Sequence, residues 1–195
     1  MAGFHKAAGS GPKDKRHPND YYPTPAPVTQ ALLERESFPE TVWEPAAGRG
    51  HMARELRRHG YRVFASELYT EPGDDQTNAC LDFLSPGGKL GQSIITNPPY
   101  RQAEAFVRRA IELEIEKHAW LLRFQFIESV SRFPLFRDHP PRRLWVFSRR
   151  VQVSERGLVN PVGGMIVYAW WVWERGYVGS PELKWIPPGF VKGGI

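Results

Sequence analysis

Residues 41–60 read TVWEPAAGRGHMARELRRHG, which combines a short apolar strand, a turn with two glycines and a helix followed by a third glycine. We predict the strand over Thr41–Glu44 and the helix from His51 to about His59. Glycines in such a turn let a ligand approach the backbone, and the helix N-terminus presents free N–H groups. The Gly-x-Gly-x-x-Gly spacing of dinucleotide-binding proteins is missing. Gly48 and Gly50 therefore predict a ligand site of another kind, with a plain strand–helix turn as the alternative.

Short β-prone segments alternate with helical segments along the rest of the chain. Strands are predicted over 62–66, up to about Asp82, and over 93–96, 119–122, 143–147 and 165–173, and helices over 28–36 and 102–116. This alternation is typical of an α/β domain with a mostly parallel sheet. Residues 1–20 are polar and lack periodicity, which predicts a flexible tail before a single domain over residues 21–195.

The composition excludes several classes of protein. A single cysteine, Cys80, cannot form a disulfide within the chain or a cysteine-based zinc site, so we predict no metal. No apolar run approaches the ~18 residues of a membrane span, and the first 20 residues lack the apolar core of a signal peptide. We therefore expect a soluble, cytoplasmic protein. Most of the 7 Trp, 7 Tyr and 11 Phe are expected in the core.

Acidic side chains follow the second and third predicted strands. Glu67 is placed to accept hydrogen bonds from both hydroxyls of a ribose, and Asp82 from an adenine amine while Phe83 packs on the ring. Open α/β sheets bind ligands at the carboxyl ends of their strands, where both acids are predicted to lie. Taken alone, either acid is better explained as an ordinary solvated loop residue.

The segment Asn97-Pro98-Pro99-Tyr100 directly follows the apolar strand predicted at 93–96. Two prolines remove two N–H donors and leave their carbonyls to accept, and Asn97 adds a side-chain carbonyl. Together these acceptors are suited to holding an amino group by both hydrogens, while Tyr100 offers a face for a planar group. An exocyclic amine is a poor nucleophile, so such acceptors lower the barrier to its methylation.

With these motifs in place, the sequence resembles the class I, Rossmann-like N6-adenine DNA methyltransferases. The turn EPAAGRG is similar to their motif I, Asn97–Tyr100 to motif IV, and the early YYPTP, residues 21–25, to motif X. The motif order X, I, IV matches the gamma arrangement, and the arginine-rich stretch at 143–150 with the aromatic strand at 167–173 is similar to small phage or prophage members. The resemblance implies a mostly parallel seven-stranded sheet with an antiparallel closing strand and helices on both faces. It also implies S-adenosylmethionine as cofactor, DNA as partner, and a bacterial or phage-infected cell.

By the same resemblance, Asn97, Pro98, Pro99 and Tyr100 are the catalytic residues that hold the target base. The residues implied at the cofactor are Tyr22, Thr24, Pro25, Glu44, Pro45, Ala46, Gly48, Gly50, Glu67, Leu68, Asp82, Phe83 and Asn97. Glu44 stands where aspartate is commoner in the family, and Arg49 replaces a small residue. The family usually adds a separate target-recognition domain, for which the residues after Tyr100 leave no room.

An arginine-rich segment predicts the nucleic-acid surface. Between residues 123 and 156 there are eight arginines and three acids, an excess that equals the formal net charge of +5 for the chain. Such concentration favours a polyanion partner, with a solvated basic face as the alternative. The predicted phosphate contacts are Arg132, Arg137, Arg142, Arg143, Arg149 and Arg150. Phe124, Phe126 and Phe147 are either core residues or candidates for stacking on bases. Residues 154–164 are predicted to form a lid, a DNA-contacting loop or a hairpin connection.

Three other interpretations remain open at this point. The segment Asn97–Tyr100 also occurs in methyltransferases that act on RNA or on protein glutamine, and arginines do not separate DNA from RNA. A relative that binds nucleic acid but has lost catalysis is a second possibility, against which the complete motif argues. Methylation of cytosine N4 is a third, and Asn97 favours adenine because that subgroup more often has serine there.

Overall fold

A computed structural model describes residues 23–69, 76–151 and 166–190 of the chain. The predicted tail, Tyr22 and the loop at 154–164 lie outside the described residues. The helices are α1 (Ala26–Leu33), α2 (His51–Arg58), α3 (Ala103–Glu112) and α4 (Phe133–Asp138). The strands are β1 (Thr41–Glu44), β2 (Arg62–Glu67), β3 (Ala79–Cys80), β4 (Ser93–Thr96), β5 (Lys117–Arg123), β6 (Arg143–Phe147), β7 (Tyr168–Glu174) and β8 (Glu182–Ile186).

These strands form one sheet in the order β3-β2-β1-β4-β5-β7-β6-β8. Strand β7 runs antiparallel to both of its neighbours, β5 and β6, and the other pairings are parallel. The predicted Rossmann-like sheet with an antiparallel closing strand is therefore confirmed. It has one strand more than expected, because β8 pairs with the outer edge of β6 and covers backbone groups that would otherwise be unpaired.

The predicted strands at 41–44, 93–96 and 143–147 have the observed bounds, and α2 is confirmed. The helix predicted over 102–116 ends earlier, at Glu112. Glu114 there adopts a left-handed φ of 50°, which reverses the chain into β5. Ile115, which follows this turn, is nevertheless 1% exposed. Its apolar side chain continues the helical pattern of the sequence, so the sequence predicted a helix longer than the one observed.

Helices cover both faces of the sheet. Side chains of β5 alternate between the faces: Trp120 and Leu122 pack with α3, whereas Ala119 and Leu121 belong to the cluster that includes α1 and α2. Strand β7, with the sequence YAWWVWE, is buried along almost its whole length. This confirms that most tryptophans are core residues. Among the described residues, no helix is both long enough and apolar enough to span a membrane.

Candidate active site

The parallel strands β1, β2, β4 and β5 end at the same edge of the sheet. Strand β6 also points this way, because it is antiparallel to β7, which is antiparallel to β5. The segments that follow these strands are therefore neighbours, although they are far apart in sequence. This edge carries the glycine turn, Glu67 and the segment Asn97–Tyr100, as the sequence predicted.

The glycine turn needs both of its glycines. Gly48 and Gly50 have φ values of 54° and 66°, in the left-handed region that side chains disfavour. A Cβ on Gly50 would also lie 2.1 Å from the Cβ of Gln76. The turn passes from β1 to α2, and its left-handed backbone brings the Gly48 N–H close to the end of β2.

Glu67 joins the turn to the end of β2. One of its carboxylate oxygens accepts a hydrogen bond from the Gly48 N–H at 2.7 Å, and the other from the Leu68 N–H at 2.8 Å. An ionised carboxylate has about four acceptor positions, so two remain for a ligand. The predicted pairing of a glycine turn with an acid at the next strand is thus present as a direct contact.

The other predicted cofactor residues occupy different environments. Glu44 ends β1 and is 2% exposed, below the turn that contains Pro45 and the half-buried Ala46. Thr24 is 5% exposed, and the carbonyl of Pro25 accepts the first hydrogen bond of α1 from Val28 at 2.9 Å. Leu68 is 41% exposed at the mouth of the turn.

Asp82 and Phe83 follow β3, and the structure places them in different environments. The Asp82 carboxylate accepts hydrogen bonds from the Leu84 N–H at 2.9 Å and the Ser85 hydroxyl at 3.0 Å, which fixes the loop after β3. Phe83 is only 3% exposed, with its ring centroid 4.9 Å from those of Trp43 and Phe106. Phe83 is a core residue in this structure, and its packing on the adenine of a cofactor stays a prediction.

The segment Asn97–Tyr100 links β4 to α3. The Asn97 Oδ1 is buried and Pro98 is buried, while Tyr100 is partly exposed. The carbonyl of Pro99 accepts the Gln102 N–H at 2.9 Å and closes the turn into α3. Pro99 thus has a structural role as well, with one acceptor position of its carbonyl occupied, whereas the Pro98 carbonyl accepts no hydrogen bond from the described residues.

A cavity of about 200 Å³ opens beside Tyr100. Its lining consists of Tyr100, Ala103, Leu122, Arg123, Gln125, Phe126 and Arg132. Drug-sized ligands occupy sites of about 300–1,000 Å³, so this space suits a group no larger than a ring system. Phe126 was a predicted rim residue and does line the cavity, whereas Phe147 packs on Phe190 at 5.0 Å in the core of the opposite face.

Arg123 and Gln125 are cavity residues that sequence reasoning did not single out. Both follow the apolar residues of β5, just as Asn97 follows those of β4. Because open α/β sheets bind ligands at the carboxyl ends of their strands, the same reasoning could have found them. The guanidinium carbon of Arg123 lies 4.7 Å from the centroid of the Tyr100 ring. Arg132 reaches the carbonyl of Phe126 at 2.9 Å and lies over the Phe126 ring at 4.7 Å.

The predicted DNA-binding arginines are divided between the two edges of the sheet. Arg149 and Arg150 follow the carboxyl end of β6 and lie at the site edge, as Arg132 does. Arg137 is exposed on α4 and pairs with Asp138 at 2.6 Å. Arg142 and Arg143 lie at the start of β6, which is the opposite edge. The expectation that all six form one surface is therefore wrong, because strand direction separates them.

Arg143 is bound within the protein. It pairs with Glu36 and Glu174, and its side chain is 14% exposed. Glu36 also accepts hydrogen bonds from Lys117 at 2.6 Å and Trp145 at 2.7 Å. Burial alone would raise the pKa of Glu36, but these hydrogen bonds and the Lys117 charge lower it overall. Arg143 thus stabilises a buried carboxylate, and two acids within the protein occupy its guanidinium.

Comparison with known proteins bears on the fold. No family model and no curated protein matches the chain. A structure assigned as the modification subunit of a type I restriction enzyme from Vibrio vulnificus YJ016 has a TM-score of 0.60 at 14% identity. The alignment covers 85% of this chain and 47% of that one, so the chain spans about half of its length. The fold is that of Rossmann-like methyltransferases.

Two further solved structures support this assignment of the fold. A protein of Agrobacterium tumefaciens assigned as an O-methyltransferase has a TM-score of 0.55 at 13% identity, over 85% of this chain and 86% of that one. A protein of Pyrococcus horikoshii assigned as an RNA methyltransferase has a TM-score of 0.54 at 17% identity, over 80% and 88%. Their acceptors differ, so the choice of acceptor depends on the residues of the site.

Proposed function

We propose that this chain transfers the methyl group of S-adenosylmethionine to the exocyclic N6 amine of adenine in DNA. The observation that carries the proposal is the position of Asn97–Tyr100, between a small cavity on one side and the glycine turn with Glu67 on the other. An acceptor site and a cofactor site thus meet at one edge of the sheet.

The described residues fit the cofactor. The left-handed turn at Gly48 and Gly50 keeps side chains away from an approaching ligand, and the Glu67 carboxylate retains acceptor positions for ribose hydroxyls. Asp82 lies one strand further along, where an adenine amine is expected, and Thr24, Pro25 and Glu44 contribute to the methionyl end. When bound, S-adenosylmethionine supplies an electrophilic methyl group attached to a positively charged sulfur.

The chemistry then depends on how the chain holds the amine. The Asn97 Oδ1 and the Pro98 carbonyl accept the two N6 hydrogens, which favours a tetrahedral nitrogen and directs its lone pair at the methyl carbon. Tyr100 stacks on the base. The N6–methyl bond forms as the sulfur–methyl bond breaks, and N6 then releases a proton. The residues described around the cavity include no carboxylate or imidazole, so water is the expected proton acceptor.

DNA as the acceptor rests on the surface around the cavity. A base in a duplex must be flipped out to reach such a cavity, which requires contacts to the phosphates and to the vacated stack. Arg132, Arg149 and Arg150 supply positive charge at this edge. Next to Arg132, Val130 is 95% and Phe133 62% exposed, and such apolar side chains suit contact with unstacked bases. The resemblance to adenine-specific DNA enzymes adds to this support.

The test is methyl transfer from labelled S-adenosylmethionine to unmethylated DNA, RNA and a protein rich in glutamine, followed by nucleoside analysis. N6-methyladenine in DNA is the expected product. N4-methylcytosine would refute the choice of base, and label on RNA or protein alone would refute the choice of acceptor. Absence of cofactor binding by calorimetry would favour a non-catalytic relative.

A variant at Asn97 tests the mechanism. Asn97→Ala removes an acceptor aimed at the reacting amine, so we expect kcat to fall about 100-fold or more, with cofactor affinity within about twofold of the wild type. Gln92→Ala is the matched control, since Gln92 is exposed at the opposite end of β4 and, among the described residues, its side-chain amide bonds only Thr41. Equal loss of turnover and cofactor binding in Asn97→Ala would mean that Asn97 is structural.

A further inference from the structure

Arg123 has an unusual environment for an arginine close to a cavity. Its guanidinium lies over the Tyr100 ring at 4.7 Å, and its Nε is buried with no hydrogen-bond partner among the residues that the structure describes. Within the described part of the chain it pairs with no carboxylate, in contrast to Arg143, which has two. Arg123 is therefore held by the aromatic face and the cavity wall, and its charge is not neutralised by a neighbouring acid.

The position of this guanidinium conflicts with that of a bound acceptor. Atoms in contact are about 3.5–4.0 Å apart, so a gap of 4.7 Å between Arg123 and Tyr100 leaves no room for a ring between them. A base that stacks on this face of Tyr100 must take the place of the guanidinium. Entry of the acceptor and displacement of Arg123 are thus one event.

This exchange favours some acceptors over others. A nucleobase replaces the lost cation–π contact with base–aromatic stacking, which is at least as favourable. A glutamine side chain carries the same amide hydrogens but has no ring to compensate. The displaced guanidinium also needs an anion, and its fork of donors matches a phosphate. A nucleotide in a nucleic acid brings that phosphate with it, whereas a protein glutamine does not.

We propose that Arg123 is a specificity-determining residue, which selects a nucleobase within a nucleic acid over the amide of a protein glutamine. The proposal rests on the proposed methyltransferase function and adds the step that separates acceptors sharing the same amine chemistry. In this structure Arg123 lies over the ring face of Tyr100, and with a flipped base bound it contacts the phosphate next to that base.

The experiment compares wild type, Arg123→Ala and Arg123→Lys, with Arg62→Ala as a control for the loss of one positive charge. Arg62 pairs with Glu40 at the opposite edge of the sheet, far from the cavity. Each protein is first checked for an unchanged melting temperature and for binding of S-adenosylmethionine. Methyl transfer is then measured on an adenine-containing duplex oligonucleotide and on a capped glutamine peptide, and binding of the labelled oligonucleotide is measured over a range of salt.

For Arg123→Ala we expect kcat/KM on DNA to fall about tenfold or more, mostly through KM, with transfer to the peptide unchanged or raised. Loss of one phosphate contact should also reduce the slope of log affinity against log salt by about 0.9. Arg123→Lys should keep the salt slope but recover only part of the DNA activity, because an ammonium is not planar. Arg62→Ala should resemble the wild type.

An unchanged ratio of DNA to peptide activity in Arg123→Ala, or an unchanged salt slope, would overturn the role of Arg123. Wild-type activity on RNA in place of DNA would refute the proposed substrate, while the ratio of RNA to peptide activity would still decide the role of Arg123. Wild-type activity on the peptide alone would refute both. If no acceptor is methylated, the salt slope decides whether Arg123 contacts phosphate.

Discussion

Replacing Arg143 by alanine should destabilise the fold and leave DNA binding intact. The Glu36 side chain is 3% exposed and Arg143 14%, so the variant leaves a buried carboxylate with one cation, Lys117, and the Trp145 N–H. Removing one partner of a buried ion pair costs about 3–5 kcal/mol of folding free energy. Because Lys117 and Trp145 still bind the carboxylate, we expect the lower end of this range, about 3 kcal/mol. For a chain of 195 residues, each kcal/mol shifts the melting temperature by about 2–4 °C, which gives a decrease of about 6–12 °C.

Calorimetric melting and fluorescence anisotropy with a labelled oligonucleotide measure the two quantities separately. Arg142→Ala is the matched control, because Arg142 precedes Arg143 but pairs with Glu182 at the surface, with both side chains about one-third exposed. Its effect on stability should be about 1 kcal/mol or less. A melting temperature within 2 °C of the wild type, together with an affinity for DNA reduced about tenfold, would show that Arg143 is a phosphate ligand after all.

Three further predictions concern the cofactor site, the DNA surface and the pH dependence of stability. Glu67→Ala should weaken binding of S-adenosylmethionine about 10-fold to 100-fold in calorimetry, because hydrogen bonds to a charged acceptor are lost. The control is Glu40→Ala, since Glu40 is exposed. Equal cofactor affinity in the two variants would exclude Glu67 from the site. Joint replacement of Arg149 and Arg150 by alanine should weaken DNA binding and flatten its salt dependence, and a slope equal to that of the wild type would place the contacts elsewhere. Burial lowers the pKa of His118 from 6.5 to about 3, so the unfolded chain takes up a proton first as the pH falls. The contribution of His118 to stability is complete above pH 6.5 and is lost towards pH 3, by at most about 1.4 kcal/mol per pH unit. Denaturant titrations at pH 7 and pH 5 should therefore show a smaller pH effect in His118→Gln, and identical effects would contradict the assignment.

Much of the site was accessible from the sequence because its signals are local. A strand followed by two glycines, or by Asn97-Pro98-Pro99-Tyr100, marks a carboxyl end whatever the rest of the chain does. Parallel strands bring such ends together, so the meeting of Gly48 with Glu67 follows from the predicted class of fold. The observed hydrogen bond at 2.7 Å agrees with that expectation.

The sequence did not reveal features that depend on distant residues. Phe83 follows a strand and reads as a stacking residue, but Trp43 and Phe106 enclose it in the core. The carbonyl of Pro99 reads as an acceptor for a ligand, and it also closes the turn into α3. Neither fate is visible in the sequence, because side-chain packing and turn geometry decide them.

The sequence by itself determined the class of fold, the edge that holds the site and the chemical types of its groups, since these follow from periodicity and from residues adjacent in the chain. Only the tertiary structure decided which charges serve that site. Arg142 precedes β6 and Arg149 follows it, so the two arginines lie at opposite edges of the sheet. The direction of β6 decides that Arg149 is the one at the site. Glu36, from a distant part of the chain, pairs with Arg143 in the interior, whereas Arg123 pairs with no acid in the described ranges and lies beside Tyr100.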